Sequence, residues 1–213
     1  MKWQMRGAIA AAMILLAAPV ASRADEKPAG PAFDCTKASG EVEELICADA
    51  GLAALDRKLD SVYKAALAKA RDDMPKQLKA EQQGWISGRN DCWKAKGKDN
   101  PAYLTESWVA TSVRECVEGE YKLRIAELQV QYQLVPAKKP VFFAGPNNDE
   151  LVATFFETEP PAVRLERGDR TVIAYQVQLP TGARYEGQNV RFAQSGNEAT
   201  ATWLGEEIKY KLR

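Results

Sequence analysis

Histidine is missing from the whole chain of 213 residues. Its absence removes the commonest general base and the commonest metal ligand, so a serine triad and a histidine zinc site are both excluded. An excess of one charge is missing too. The 29 acids stand against 29 bases, and no basic patch argues for nucleic acid. Cysteine is sparse: Cys35, Cys47, Cys92 and Cys116 match a zinc site in number but lack the close paired spacing of one. No other residue set calls for a metal or a cofactor. The apolar run from Ala8 to Ala18 falls far short of the roughly 20 residues that cross a bilayer.

That run has another reading. MKWQMRGAIAAAMILLAAPVASRADE puts Lys2 and Arg6 ahead of the apolar stretch and closes with small residues through Ala24. The pattern predicts a secretory signal peptide over residues 1–24. No cysteine lies in or just after it, which argues against a lipid-modified N-terminus. The mature chain is therefore expected to be periplasmic, with no membrane anchor after cleavage. Removing Lys2, Arg6 and Arg23 and no acid leaves 26 of the 29 bases against 29 acids, a net charge of −3. In an oxidising compartment the four cysteines read as two disulfides. Three pairings are open; Cys35 with Cys47 and Cys92 with Cys116 are favoured because both close short loops.

Two halves show different periods. Leu45, Ala48, Leu52, Leu55, Leu59, Val62 and Ala66 recur at steps of three and four, one face of a helix, with Ser39 placed to cap it and Glu41, Glu43 and Glu44 near its positive end. Asp72, Asp73 and Pro75 interrupt the pattern and restart it in a second helix carrying Leu78, Trp85 and Cys92. The stretch Lys94 to Pro101 reads as a loop. A third helix carries Val113, Val117, Tyr121, Ile125 and Leu128. Trp85, Trp93 and Trp108 are expected in the core or at helix contacts.

After VPAKKP, Val135 to Pro140, the period becomes two. In TVIAYQVQL the residues Ile173, Tyr175, Val177 and Leu179 alternate with their neighbours, as in a strand. Short runs of the same kind occupy residues 151–156, 162–165, 189–193, 198–204 and 207–212, separated by turn signals. The expected fold class is α+β in two segregated domains: a disulfide-bonded helical domain over 25–134, a linker over 135–140 and a small antiparallel β-barrel over 141–213.

Near the end stands PTGARYEGQNVRFAQSGNEAT, Pro180 to Thr200. A Thr-Gly pair before a strand is an ordinary turn, and so is Ser195-Gly196. The longer context adds a resemblance. FDCTKASGEVEELICADAGLAALDRKLDSVY, EQQGWISGRNDC and CVEGEYKLRIAEL, within Phe33 to Leu128, resemble the LprI lysozyme-inhibitor family, which implies a helical, exported, disulfide-bonded domain. Residues 150–213 resemble the MliC family of c-type lysozyme inhibitors, which implies a small β-barrel. That family's Ser-Gly-x-x-Tyr loop reads here as Thr181-Gly182-Ala183-Arg184-Tyr185, and its Lys-Gly-x-x-Ala turn as Ser195-Gly196-Asn197-Glu198-Ala199. The resemblance implies that the first loop enters the lysozyme cleft, with Thr181 offering its hydroxyl to the catalytic carboxylates, Gly182 the tight turn and Tyr185 an anchor.

The chain departs from the pattern in three places. Thr181 replaces a serine. Ser195 stands where the family has the lysine that pairs with the cleft carboxylates, so Arg184 or Arg191 is expected to supply the charge if inhibition is retained. The family's barrel disulfide falls on Phe156 and Leu212, which are expected to pack together instead. The rival readings are an envelope adaptor whose inhibitory loop has lost lysozyme affinity, and a hydrolase using Glu206 and Glu207. Adjacent residues on a strand point to opposite faces, which makes that acid pair a poor catalytic couple.

Overall fold

The computed structural model describes residues 29–180 and 182–213; the expected signal peptide and Thr181 lie outside them. The first half is helical, with α1 Glu41–Ala48, α2 Ala50–Lys69, α3 Met74–Asn90 and α4 Val113–Gln131. The first expected helix is thus two. Asp49 leaves the helix at φ −98° and ψ 113°, and its carboxylate accepts from the N–H groups of Gly51 and Leu52, capping α2. The apolar steps run through the break because Val42 and Ile46 of α1 and Leu52, Leu59 and Ala66 of α2 enter one core. Ser39 is not the cap of α1. Gly40 holds that position at φ 93°, while the N–H of Ser39, one residue before the cap, donates to the Glu43 carboxylate at 2.8 Å.

Pro75 opens α3, and Cys92 falls just beyond it in a 3-10 turn, Asp91–Lys94. Ser112 caps α4 through the Glu115 N–H. The cysteines pair 35 with 47 and 92 with 116, tying a 3-10 turn to α1 and the end of α3 to α4. Trp85 packs edge-on to Tyr121, ring centroids 5.3 Å apart. Trp93 does not join the core: it is 47% exposed, flanked by the ammonium groups of Lys94 and Lys96. Trp108 sits on a hairpin not anticipated from sequence, β1 Ala102–Tyr103 and β2 Val109–Ala110, because two-residue strands are too short to show a period. No helix among the described residues is long and apolar enough to cross a membrane.

The second half is a closed barrel of eight antiparallel strands: β3 Val141–Ala144, β4 Glu150–Phe156, β5 Ala162–Arg167, β6 Arg170–Leu179, β7 Gly182–Gly187, β8 Val190–Ser195, β9 Glu198–Trp203 and β10 Glu206–Leu212. Phe143, Phe192, Trp203 and Tyr210 fill the interior against Ala153, Ala174, Ala199 and Ala201, large side chains meeting small ones as a narrow barrel requires. Two strands are additions to the sequence reading. β3 closes the barrel against β10, and β7 covers most of the stretch expected to be a loop, with Leu179 paired to Gly182.

Helix α4 lies on the outside of the barrel against β5 and β6. Val130 packs with Phe156, Ala162, Ile173 and Tyr175, while Val172 and Ala174 of the same strand β6 face the barrel core. Both faces of β6 are covered at its middle, where Val172 to Tyr175 is an unbroken apolar run. The expected linker is docked. Val135 joins the α4 cluster, Ala137 bridges to Phe156, and the Lys138 N–H donates to the Phe155 carbonyl at 2.9 Å.

Phe156 and Leu212 do not meet. Leu212 pairs with Phe143, and Phe143 with Leu151, so Phe156 lies five residues, about 16 Å, farther along β4. There it packs beneath α4. The barrel closes by hydrogen bonding between β10 and β3, which removes the need for a cross-link at those positions.

Every cysteine belongs to the helical half, and closed loops of 12 and 24 residues correspond to about 3 and about 3.5 kcal/mol of chain entropy. Reduction is therefore expected to unfold the helices while leaving the barrel folded. Far-ultraviolet dichroism with and without dithiothreitol, followed against the indole NMR resonance of Trp203, checks this; simultaneous loss of both signals contradicts it.

Candidate functional site

Antiparallel strands alternate direction, so successive turns alternate between the two ends of the barrel. The β6–β7 connection, between Leu179 and Gly182, and the β8–β9 turn at 196–197 therefore share one end, and the β7–β8 and β9–β10 turns occupy the other. Gly182 at φ 125° and Gly196 at φ 56° hold conformations that favour glycine. A Cβ at either would touch nothing within 4 Å; backbone shape, not crowding, is what each glycine supplies. Ser195 pairs with Glu198 across the second turn, both exposed. That turn is braced by the Leu212 N–H on the Asn197 carbonyl at 2.8 Å and by the Gln194 side-chain amide on the Gly196 carbonyl.

Along β7 the side chains divide. Tyr185 points inward, edge-on to Phe155 at 5.6 Å and tilted against Phe192 at 6.3 Å, an anchor beneath the first turn. Arg184 and Glu186 point outward, toward the helical half. Glu186 is 1% exposed, and its carboxylate accepts from the Thr105 hydroxyl and the Ser107 N–H, both at 2.8 Å, and from Arg184 Nε at 2.7 Å. Arg184 also donates to the Ser107 hydroxyl at 2.8 Å. Beside this cluster Arg191 of β8 pairs with Glu106 at 3.0 Å. Burial pushes the Glu186 pKa up, but the donors from Ser107, Thr105 and Arg184 outweigh it and hold the group below its ordinary 4.5.

Of the residues singled out from sequence, Gly182, Ser195 and Gly196 come together at one barrel end, Tyr185 underlies them, and Thr181 lies outside the described residues. Arg184 and Arg191 are turned to the hairpin between β1 and β2 and bound there, so neither stands at the turns as an unpaired charge. Cys35, Cys47, Cys92 and Cys116 lie in the other domain and act on its fold. Sequence reasoning missed Thr105, Ser107 and Glu186. A lone acid in GARYEG gives no sign that its partners lie about 80 residues upstream. Among the described residues no cluster of acids and cysteines is arranged to hold a metal ion.

Comparison with known proteins matches these two bodies separately. Residues 35–128 match the family described as Lysozyme inhibitor LprI, and residues 143–209 match the Membrane-bound lysozyme-inhibitor of c-type lysozyme, MliC. A region that matches LprI is thus followed by a region that matches MliC, both families described as lysozyme inhibitors. Over 210 residues it is 27% identical to proteins named Lipoprotein LprI from Mycobacterium bovis and from two strains of Mycobacterium tuberculosis, covering 96% of this chain and 96% of each relative.

The Glu186 cluster has a pH signature. A carboxyl held below 4.5 in the folded state stabilises docking above that value, and the contribution is lost as pH falls through the lower folded value. Domain docking is expected to be intact at pH 7 and to weaken below about 4.5. Glu186→Gln should cost about 2–3 kcal/mol at pH 7 and flatten the acid dependence. Calorimetric melts between pH 3 and 7 check it, and an unchanged acid limb in the variant contradicts it.

Proposed function

We propose that this protein inhibits a c-type lysozyme in the periplasm by seating one end of its barrel in the enzyme's cleft, with no bond made or broken. The observation that carries this reading is the shared position of the two glycine turns, 180–182 and 195–197, at a single barrel end. A lysozyme cleft holds two carboxyl groups, one acid and one ionised, in a space too narrow for a bulky strand. The turn at Gly182 is thin enough to enter, and Thr181 brings a hydroxyl that both donates and accepts. Tyr185 holds the turn from within. The acidity of the mature chain favours encounter with a basic enzyme.

The positive charge opposite those carboxylates comes in this reading from Lys138. Its backbone is fixed to Phe155 at the same barrel end, and its ammonium reaches Glu157 at 2.8 Å, an exposed pair that can exchange partners. Arg184 and Arg191 are excluded from the task. Arg191 lies four residues back from Ser195, about 13 Å along the strand, and both are engaged with the helical domain.

The adaptor reading retains one supporting observation, Ser195 in the lysine position, and one experiment separates the two. In a lysozyme cell-wall lysis assay the mature full-length protein is expected to inhibit. Gly182→Val and Gly196→Val should each weaken inhibition at least tenfold through backbone strain, and Lys138→Ala by a similar factor. Ser195→Lys should tighten binding about 30-fold, since a desolvated charge pair is commonly worth about 2 kcal/mol or more. No inhibition by the natural chain, with inhibition gained in Ser195→Lys, assigns the protein to the adaptor class.

A further inference from the structure

Helices α2 and α3 are joined by a short turn at residues 70–73, yet they make few contacts with each other and pack instead on α4. Between them, roofed by the segment 32–37, lies an open cleft of about 560 Å³, within the range of ligand sites. Its walls are largely apolar, formed by Phe33, Leu59, Tyr63, Trp85 and Ile86. Asp56 lines it and is only 9% exposed.

Asp56 is unusual among the buried charges of this protein. One carboxylate oxygen accepts the Ala32 N–H at 2.7 Å and the other the Tyr121 hydroxyl at 2.8 Å, both uncharged donors. The Arg89 guanidinium reaches Asp56 only through the Tyr121 hydroxyl, to which it donates at 2.8 Å, and the neighbouring Arg57 is turned to the carbonyls of Ala29 and Gly30. The other N–H groups of Arg89 are held by Asn90 and approach Glu43 at 3.8 Å. Arg89 is 4% exposed, so it offers nothing to an incoming anion. A buried carboxylate ordinarily has a cation as partner, and each Asp56 oxygen keeps acceptor capacity. At the lips stand two more acids, Asp60, paired with Lys64 at 2.7 Å, and Asp34, whose Lys37 partner is 4.0 Å away and 83% exposed.

We propose that the cleft between α2 and α3 binds a basic side chain of a partner protein, its ammonium or guanidinium on Asp56 and its stem against Trp85 and Tyr63. Charge complementarity selects the occupant: the mature chain is acidic, and the one ionic group left without a direct counter-charge on the cleft floor is an anion. Long aliphatic stems bury well along such walls, and aromatic faces attract the charged head. The site is separate from the barrel turns and does not depend on their role.

The test uses the mature full-length protein and a capped tri-arginine peptide, with a capped tri-glutamate peptide and an N-acetylglucosamine oligomer as comparisons. Binding is read from the indole resonance of Trp85 and from titration calorimetry. Saturable binding of the arginine peptide that shifts the Trp85 signal is expected, weakened about tenfold in Asp56→Asn and about threefold in Asp60→Asn. Glu206→Gln, on the remote strand β10, should leave it unchanged. If Asp56→Asn fails to fold, Asp60→Asn and the Trp85 shift decide. No saturation, equal loss in Glu206→Gln, or occupation by the sugar and not the peptide overturns the proposal, whatever the lysozyme assay shows.

Discussion

A single carboxylate shut away from water holds the two domains in register. Glu186 leaves solvent almost completely, and removing an ion from water is costly unless every lone pair finds a donor. Here the donors come from both sides: Arg184 from its own strand, Thr105 and Ser107 from a hairpin in the other domain. Apolar contacts between α4 and β6 supply area but tolerate sliding. The Glu186 cluster does not, since a shift of one residue would put a hydroxyl where an amide must be. It fixes orientation where the Val130–Tyr175 contact supplies adhesion.

That constraint explains features which look incidental when taken singly. The hairpin β1–β2 is too short to stand alone, and its tip is ordered through Trp108 N–H on the Thr105 hydroxyl and through Glu186 itself. The middle of strand β6, Val172 to Tyr175, is apolar on both faces because one faces the barrel core and the other faces α4. The segment 135–140 keeps two prolines without behaving as a tether, because Ala137 and Lys138 lie along the end of β4.

The helices were legible because their core faces repeat over many turns. The restart at Pro75 and the run from Val113 to Leu128 needed no tertiary knowledge. The break at Asp49 was hidden, since one capping residue interrupts the backbone without disturbing the order of apolar positions. In the barrel, six strands carried readable runs. β7 did not: Gly182, Arg184 and Glu186 look like loop chemistry when outward positions are assumed to meet water, and here Arg184 and Glu186 meet another domain. The paired placement of Gly182 and Gly196 follows from strand order once the strands are known. The partners of Glu186 could not be read from any local pattern, because they depend on how one domain lies on the other.

Strand β7 links these observations. One end begins at Gly182, at the barrel end, and the other carries the buried Glu186, with Tyr185 fixed in the barrel between them. β7 is paired with β6 along its whole length and with β8 over Tyr185–Gly187, so the hairpin's grip on Glu186 is carried along the strand toward Gly182. The two domains thereby divide the structural work unequally. The helical domain, held by its disulfides, is a rigid body carrying a hairpin, and the barrel, held by closure, needs no cross-link and is fixed in angle by that hairpin. A helical domain that only spaced the barrel would need no satisfied acid at the junction. Burying one makes the angle between the domains as specific as the interior of either.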